Sequence, residues 1–211
     1  MIRSLEPELM DSPEIQGEIL KKFHKDLARI HFFLGTYSTI ERFLRADQKP
    51  VRRILDIGCG DGRLLEYLHR KLNVKVIGID QKPVPHPTIP IVAADAVSEK
   101  LPEADVAVCS LLNHHLTPEQ NIALIRNVGR SCRRFLISDL IRHPLPLALF
   151  STFICPLIGH EAAVDGRQSI RRAFTPEEFS ELASTALAGT GGSFAIDASL
   201  FKSRQIIDIR Y

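Results

Sequence analysis

The stretch that decides the fold is Ile54-Leu-Asp-Ile-Gly-Cys-Gly-Asp-Gly-Arg-Leu64. Arg53 to Ile57 reads as a buried strand, and a helix begins near Gly62. Between them, Asp56, Gly58, Gly60 and Gly62 spell D-x-G-x-G-x-G. Glycines at this spacing let the backbone turn sharply and let a ligand approach without a β-carbon in the way. The helix that follows offers free N–H groups and partial positive charge at its first turn. A strand, a glycine turn and a helix in this order open a nucleoside- or dinucleotide-binding sheet.

Asp56 separates the ligand classes. A pyrophosphate on this turn would meet a fixed carboxylate, whereas a cationic ligand group there is favoured. A dehydrogenase pattern G-x-G-x-x-G would also need its third glycine at position 63, which is Arg63. A ligand with an adenosine, an ammonium and a carboxylate but no phosphate fits better, and S-adenosylmethionine is such a ligand. Val74 to Asp80 reads as the next parallel strand, with Asp80 placed to accept from both ribose hydroxyls. Ile91 to Asp95 is a third apolar run ending in a carboxylate. Asp95 is the candidate acceptor for the adenine amino group, with Ala96 donating through its backbone. The alternative for each aspartate is that it only caps a loop.

Further along, strands are expected at 53–57, 74–79, 90–94, 105–109 and 133–138, and helices at 63–72 and 118–130. Strand–helix alternation with right-handed crossovers implies a doubly wound, mostly parallel α/β sheet. Thr117-Pro-Glu-Gln120 and Thr175-Pro-Glu-Glu178 carry helix-start signatures. Ser193 to Leu200 and Arg204 to Tyr211 alternate as two further strands. Residues 12 to 46 read as helical: Ile15, Ile19, Leu20, Phe23, Leu27, Ile30 and Phe33 recur near helical spacing, Gly35 ends that helix, and a shorter one follows with Ile40, Phe43 and Leu44 on one side. Gln81 to Pro90 holds prolines at 83, 85, 87 and 90, which forbid a regular helix there.

These residues together resemble the class I S-adenosylmethionine-dependent methyltransferases over residues 50 to 211. Asp56, Gly58, Gly60 and Gly62 match the first motif, Asp80 and Asp95 the acidic positions after the second and third strands, and Ala104 to Leu116 the fourth-strand motif. Ser110-x-x-x-His114-His115-Leu116 and Asp165 to Pro176 are most similar to small bacterial quinone- and polyketide-type methylases. The resemblance implies a Rossmann-like seven-stranded sheet, 51–211, ending in an antiparallel hairpin. It also implies an N-terminal helical cap, 1–50, and an apolar lid, 141–174, all in one domain. The cofactor set it implies is Asp56, Gly58, Cys59, Gly60, Gly62, Asp80, Gln81, Asp95, Ala96 and Ser110, with S-adenosylhomocysteine as the cofactor product.

Methyl transfer from a sulfonium is an in-line displacement, and a hydroxyl acceptor gains from a general base. His115 and His114 lie just past the fourth strand, where open α/β sheets bind ligands. His160 flanks the lid and is a third candidate. Adjacent histidines diverge, and the alternative is that His115 packs near the cofactor while His114 faces solvent. Arg171 or Arg172 could hold an acidic or phenolic acceptor, or serve in salt bridges; Asp139 could line the acceptor side, or simply pair with Arg142. The apolar stretch Pro144 to Gly159 suits a small apolar or phenolic acceptor, such as a quinone- or polyketide-like compound. Carbon methylation of an activated ring and a non-catalytic binding protein on the same fold remain open alternatives.

Bulk properties fit this reading. With 211 residues, 45% hydrophobic and 25% charged, the chain has ordinary globular composition. A net charge of +2 does not argue for nucleic acid. The run 144–159 is shorter than the ~20 residues of a bilayer span and holds three prolines, so stable membrane insertion is not expected. The four cysteines show no zinc spacing, no metal is expected, and the absence of a signal-peptide pattern points to the cytoplasm.

Overall fold

The computed structural model describes residues 1–9, 35–199 and 201–211. Helix α1 spans Thr36–Arg45, strand β1 Arg53–Ile57, helix α2 Arg63–Leu72 and strand β2 Lys75–Asp80. Strand β3 (Ile91–Ala93) follows directly through the proline-rich loop, as the four prolines require. Strand β4 is Ala104–Ser110, helix α3 Pro118–Val128 and strand β5 Cys132–Leu140. Then come α4 (Pro144–Leu149), α5 (His160–Arg172), α6 (Pro176–Leu187), β6 (Ser193–Ala198) and β7 (Arg204–Arg210).

The seven strands form one sheet in the order β3-β2-β1-β4-β5-β7-β6. Pairs β2–β3, β1–β2, β1–β4 and β4–β5 are parallel, while β5–β7 and β6–β7 are antiparallel. The order reverses between β1 and β4, so a crevice opens at the carboxyl ends of those strands. Alternation along each strand divides the core. Leu55, Ile57, Ala107, Phe135, Ile137, Ile207 and Ile209 pack with α3 and α6; Ile54, Val106, Val108, Leu136 and Ile206 pack with α1 and α2. Burying each such side chain contributes about 1.5–3 kcal/mol. Thr117 and Thr175 each form a reciprocal capping box, with Gln120 and Glu178. These fix where α3 and α6 begin.

Several boundaries shift by a residue or two, and α3 stops at Val128 rather than 130. Gly35 stands at the N-cap of α1 with φ 62°; the helix it is expected to end lies outside the described residues. The expected helical positions Ile15 to Phe33 lie outside the described residues. The apolar stretch expected to form a lid is largely helical. Pro144 and Pro146 occupy the first turn of α4, where proline is tolerated, and Pro156 opens a short 3-10 turn, Cys155–Leu157.

A buried ion network ties α1 to the far strands. The Arg134 guanidinium donates to both carboxylate oxygens of Asp208, at 2.7 and 2.9 Å, and to Asp47 Oδ2 at 3.0 Å. It also donates to the Phe43 carbonyl at 3.0 Å. Burial alone would raise the Asp47 carboxyl, but hydrogen bonds from the Lys49 backbone and from Arg134 and Arg133 outweigh it and hold it low. Its stabilising contribution is therefore complete above the ordinary carboxylate range and is lost as pH falls through the lowered value. Replacing Asp47 by Ala leaves Arg134 buried without one partner, and should cost about 3–5 kcal/mol in urea denaturation at pH 7. The gap between wild type and Asp47→Ala should narrow as the pH is lowered.

Candidate cofactor cleft and histidine turn

The glycine turn has the geometry its sequence requires. Gly58 and Gly60 have φ of 68° and 54°, the left-handed region that side chains rarely adopt. An added β-carbon at Gly58 would meet the Leu112 side chain at 3.0–3.3 Å, whereas above Gly60 nothing lies within 4 Å. The Gly58 and Cys59 N–H groups donate to the Ile79 carbonyl at 2.8 and 3.2 Å, locking the turn to the end of β2. Gly78 leaves room for the Cys59 sulfur, which would collide with any β-carbon there.

Two carboxylates face this turn. Asp56 is 2% exposed, and burial together with the negative Asp80 raises its carboxyl well above the usual range. Asp80 accepts from the Gly60 N–H at 2.9 Å through Oδ2 and from the Lys82 N–H at 2.8 Å through Oδ1. Each oxygen keeps a lone pair for a further donor. Burial also pushes the Cys59 thiol up, and both aspartates add to the effect. Tyr37, on α1, feels Asp61 and Asp56 and is raised to about 12, chiefly by burial. Sequence reasoning missed Tyr37, because only the packing of α1 brings it to the turn.

Asp95 is engaged locally. Its oxygens accept from the Val97 N–H at 3.0 Å and the Ser98 hydroxyl at 2.7 Å, and Gln81 reaches it as well. The Ala96 carbonyl accepts from the Asn127 amide at 2.9 Å. The loop-capping alternative for Asp95 is thus present in the structure, beside whatever ligand role it has. Ser110 ends β4 beside Ser138 on β5, and the hydroxyl oxygens of both are buried without a hydrogen-bond partner. Arg204 opens β7 opposite Leu140; its Nε is also buried without a partner, and burial lowers the guanidinium to about 10. By strand alternation Ser110, Ser138 and Arg204 share one face of the sheet.

The two histidines form a 3-10 turn, Asn113–His115, over the ends of β4 and β5. The alternative in which His114 faces solvent does not hold: His114 is buried and His115 is the partly open one. The reason is Asp139. Its carboxylate accepts from the His114 backbone N–H at 2.8 Å and from His114 Nδ1 at 2.7 Å. Asp139 therefore does not pair with Arg142, whose guanidinium donates to Glu178 and to the carbonyls of Met1 and Ala173. Arg172 donates to the carbonyls of His114, His115 and Glu6. Arg3 donates to those of His114, Leu116 and Arg172 and stacks over the Phe174 ring. The two arginines hold the turn's backbone. Arg171 is exposed, as is His160 in the first turn of α5.

A further residue completes the cluster. The segment 1–9 runs along α5, with Ser4 N–H donating to the Arg171 carbonyl and Leu9 N–H to Asp165. This sets Glu8, 5% exposed, against both rings: its oxygens lie 3.6 Å from His114 Nε2 and 3.8 Å from His115 Nε2. Burial raises the Glu8 carboxyl to about 7 against the pull of His115. No local pattern in the sequence marks Glu8; its importance comes from a contact that spans half the chain.

A family model for the methyltransferase domain matches residues 29–161. The chain belongs to the methyltransferase domain family. Solved structures agree on the fold of this methyltransferase. The plantazolicin methyltransferase BpumL, crystallised with a desmethylPZN analogue and SAH (S-adenosylhomocysteine), is 17% identical, with a TM-score of 0.73 over 96% of this chain and 93% of that one. The methyltransferase domain of bacterial CtHen1-C is 15% identical, with a TM-score of 0.62 over 83% and 96%. Human N-acetylserotonin methyltransferase, solved with SAM, is 19% identical, with a TM-score of 0.58 over 91% and 57%. Among curated protein sequences there is no match.

The two glycines separate backbone from packing effects in this methyltransferase. Gly60→Ala should cost only the left-handed backbone term, about 1–2 kcal/mol. Gly58→Ala should cost more, because Leu112 must also move. Chemical denaturation of the two variants checks the order.

Proposed function

We propose that this chain uses S-adenosylmethionine to methylate a hydroxyl of a small, largely apolar or phenolic molecule. The observation that carries the reading is the carboxylate pair Asp56 and Asp80 around an open glycine turn. Burial and the charge of Asp80 penalise the ionised form of Asp56, a penalty that a cationic ligand relieves. The residues present fit the cofactor: Asp56 for the ammonium end, Asp80 for two hydroxyls, the turn 58–62 for close approach, with Cys59, Gln81, Asp95, Ala96 and Ser110 around it. When bound, S-adenosylmethionine supplies a methyl carbon activated by a positive sulfur.

The chain's own work lies in placing the acceptor and receiving its proton. The buried hydroxyls of Ser110 and Ser138 and the Arg204 guanidinium offer polar anchors on one face of the sheet. They suit an acceptor with at least one oxygen. Glu8, His114 and His115 gather proton-accepting atoms at the ends of β4 and β5, with His115 the partly open member. Asp139 fixes His114, and Arg3 and Arg172 fix the turn, so His115 is held at a set position. Leu145, Phe153 and Leu157 on the lid expose apolar surface suited to a greasy acceptor. Among the described residues no helix is long and apolar enough to cross a membrane.

Three outcomes test this. Asp80→Ala should weaken S-adenosylhomocysteine binding at least about tenfold, since a hydrogen bond to a charged group contributes about 1.5–3 kcal/mol; unchanged affinity in calorimetry defeats the cofactor assignment. His115→Ala should lower turnover more than cofactor affinity, measured with a panel of phenolic and quinol acceptors. Because the Asp56 carboxyl is raised in the free protein, a cationic ligand that favours its ionised form should expel a proton. S-adenosylmethionine affinity should then rise with pH until that raised carboxyl is ionised in the free protein, and binding heats in buffers of different ionisation enthalpy should report proton release.

A further inference from the structure

The geometry points to a divalent-metal site formed by Glu8, His114 and His115. One ligand atom from each lies within 4.8 Å of the other two, and Glu8 and His114 are buried. The two Glu8–histidine separations, 3.6 and 3.8 Å, lie beyond a good hydrogen bond. They run from different oxygens of Glu8, Oε1 to His114 and Oε2 to His115. Ligand atoms at tetrahedral zinc sit about 3.4 Å apart, so the three side chains close on one ion by drawing inward from separations of up to 4.8 Å.

The surroundings are those of a metal site. His114 Nδ1 donates to Asp139 at 2.7 Å, which directs the lone pair of the neutral ring to Nε2, toward Glu8. A carboxylate behind a histidine ligand is the common outer-shell partner, since it fixes the ring and raises its basicity. Ser169 lies within hydrogen-bonding reach of Glu8 and helps to fix the carboxylate's position. The ring centroids of His114 and His115 lie 4.3 Å apart, with their planes inclined by 38°.

Two imidazoles and one carboxylate suit zinc, cobalt or manganese rather than calcium or magnesium, which favour all-oxygen shells. Three protein ligands leave a position for an oxygen ligand. A cation there lowers the pKa of an oxygen bound to it, the same service a base performs for a hydroxyl acceptor. That role rests on the methyl-transfer reading; the binding of the cation does not.

The test is titration of chelator-stripped, full-length protein with cobalt(II), followed by calorimetry and visible absorption. Wild type should bind one equivalent, with the absorption of low-coordinate cobalt, and zinc should displace it. Asp139→Asn should weaken binding roughly 10–100-fold, the usual cost of an outer-shell change, and Glu8→Gln and His115→Gln should each weaken it further. Circular dichroism and S-adenosylhomocysteine titration of the same samples show whether each variant is folded. Failure of folded wild type to bind one equivalent, or unchanged affinity in both Glu8→Gln and His115→Gln, overturns the site. Wild type that binds S-adenosylhomocysteine but no cobalt sinks the metal site alone; wild type that binds cobalt but no S-adenosylhomocysteine sinks the cofactor reading alone.

Discussion

Two carboxylates at the ends of neighbouring parallel strands set the terms for the rest of this structure. Asp56 is buried beside Asp80, whose charge adds to the cost of ionising it. The fold maintains this unfavourable pair by over-determining it. β1 lies between β2 and β4 and is buried along Ile54 to Ile57. The turn after it is pinned to Ile79, and Asp80 is fixed by two backbone N–H groups. Local electrostatic cost, held by global packing, is what a binding site for a cation requires.

The glycine turn and the sheet around it were legible because their signals are local. The three left-handed glycines, the two capping boxes and the proline-rich loop each act within a few residues, so their spacing fixed their conformation. The histidine turn was legible in position but not in orientation. Adjacency says that two side chains diverge; it does not say which turns inward. That choice belongs to Asp139, 25 residues further on, which binds both the backbone and the ring of His114. Glu8, Arg3 and Tyr37 were not legible at all. Each acts through tertiary contact alone, with Arg3 reaching carbonyls more than a hundred residues away.

The structure also redistributes the roles of charged residues. Arg142 and Arg172 appeared suited to pairing or to acceptor binding, yet both act mainly on backbone carbonyls left without partners by tight turns. A planar guanidinium can serve several such carbonyls at once, which a lysine could not do with the same rigidity. Arg204 is the contrasting case, a buried guanidinium whose Nε has no partner.

The distribution of thiols has a practical side. Cys59, Cys109 and Cys132 are enclosed in the core, and burial pushes all three up in pKa. Cys155 alone is partly open, on the short turn between α4 and α5. The natural sequence thus carries a single addressable sulfur on its apolar flap. A spectroscopic label attached there would watch that flap from within an otherwise silent molecule.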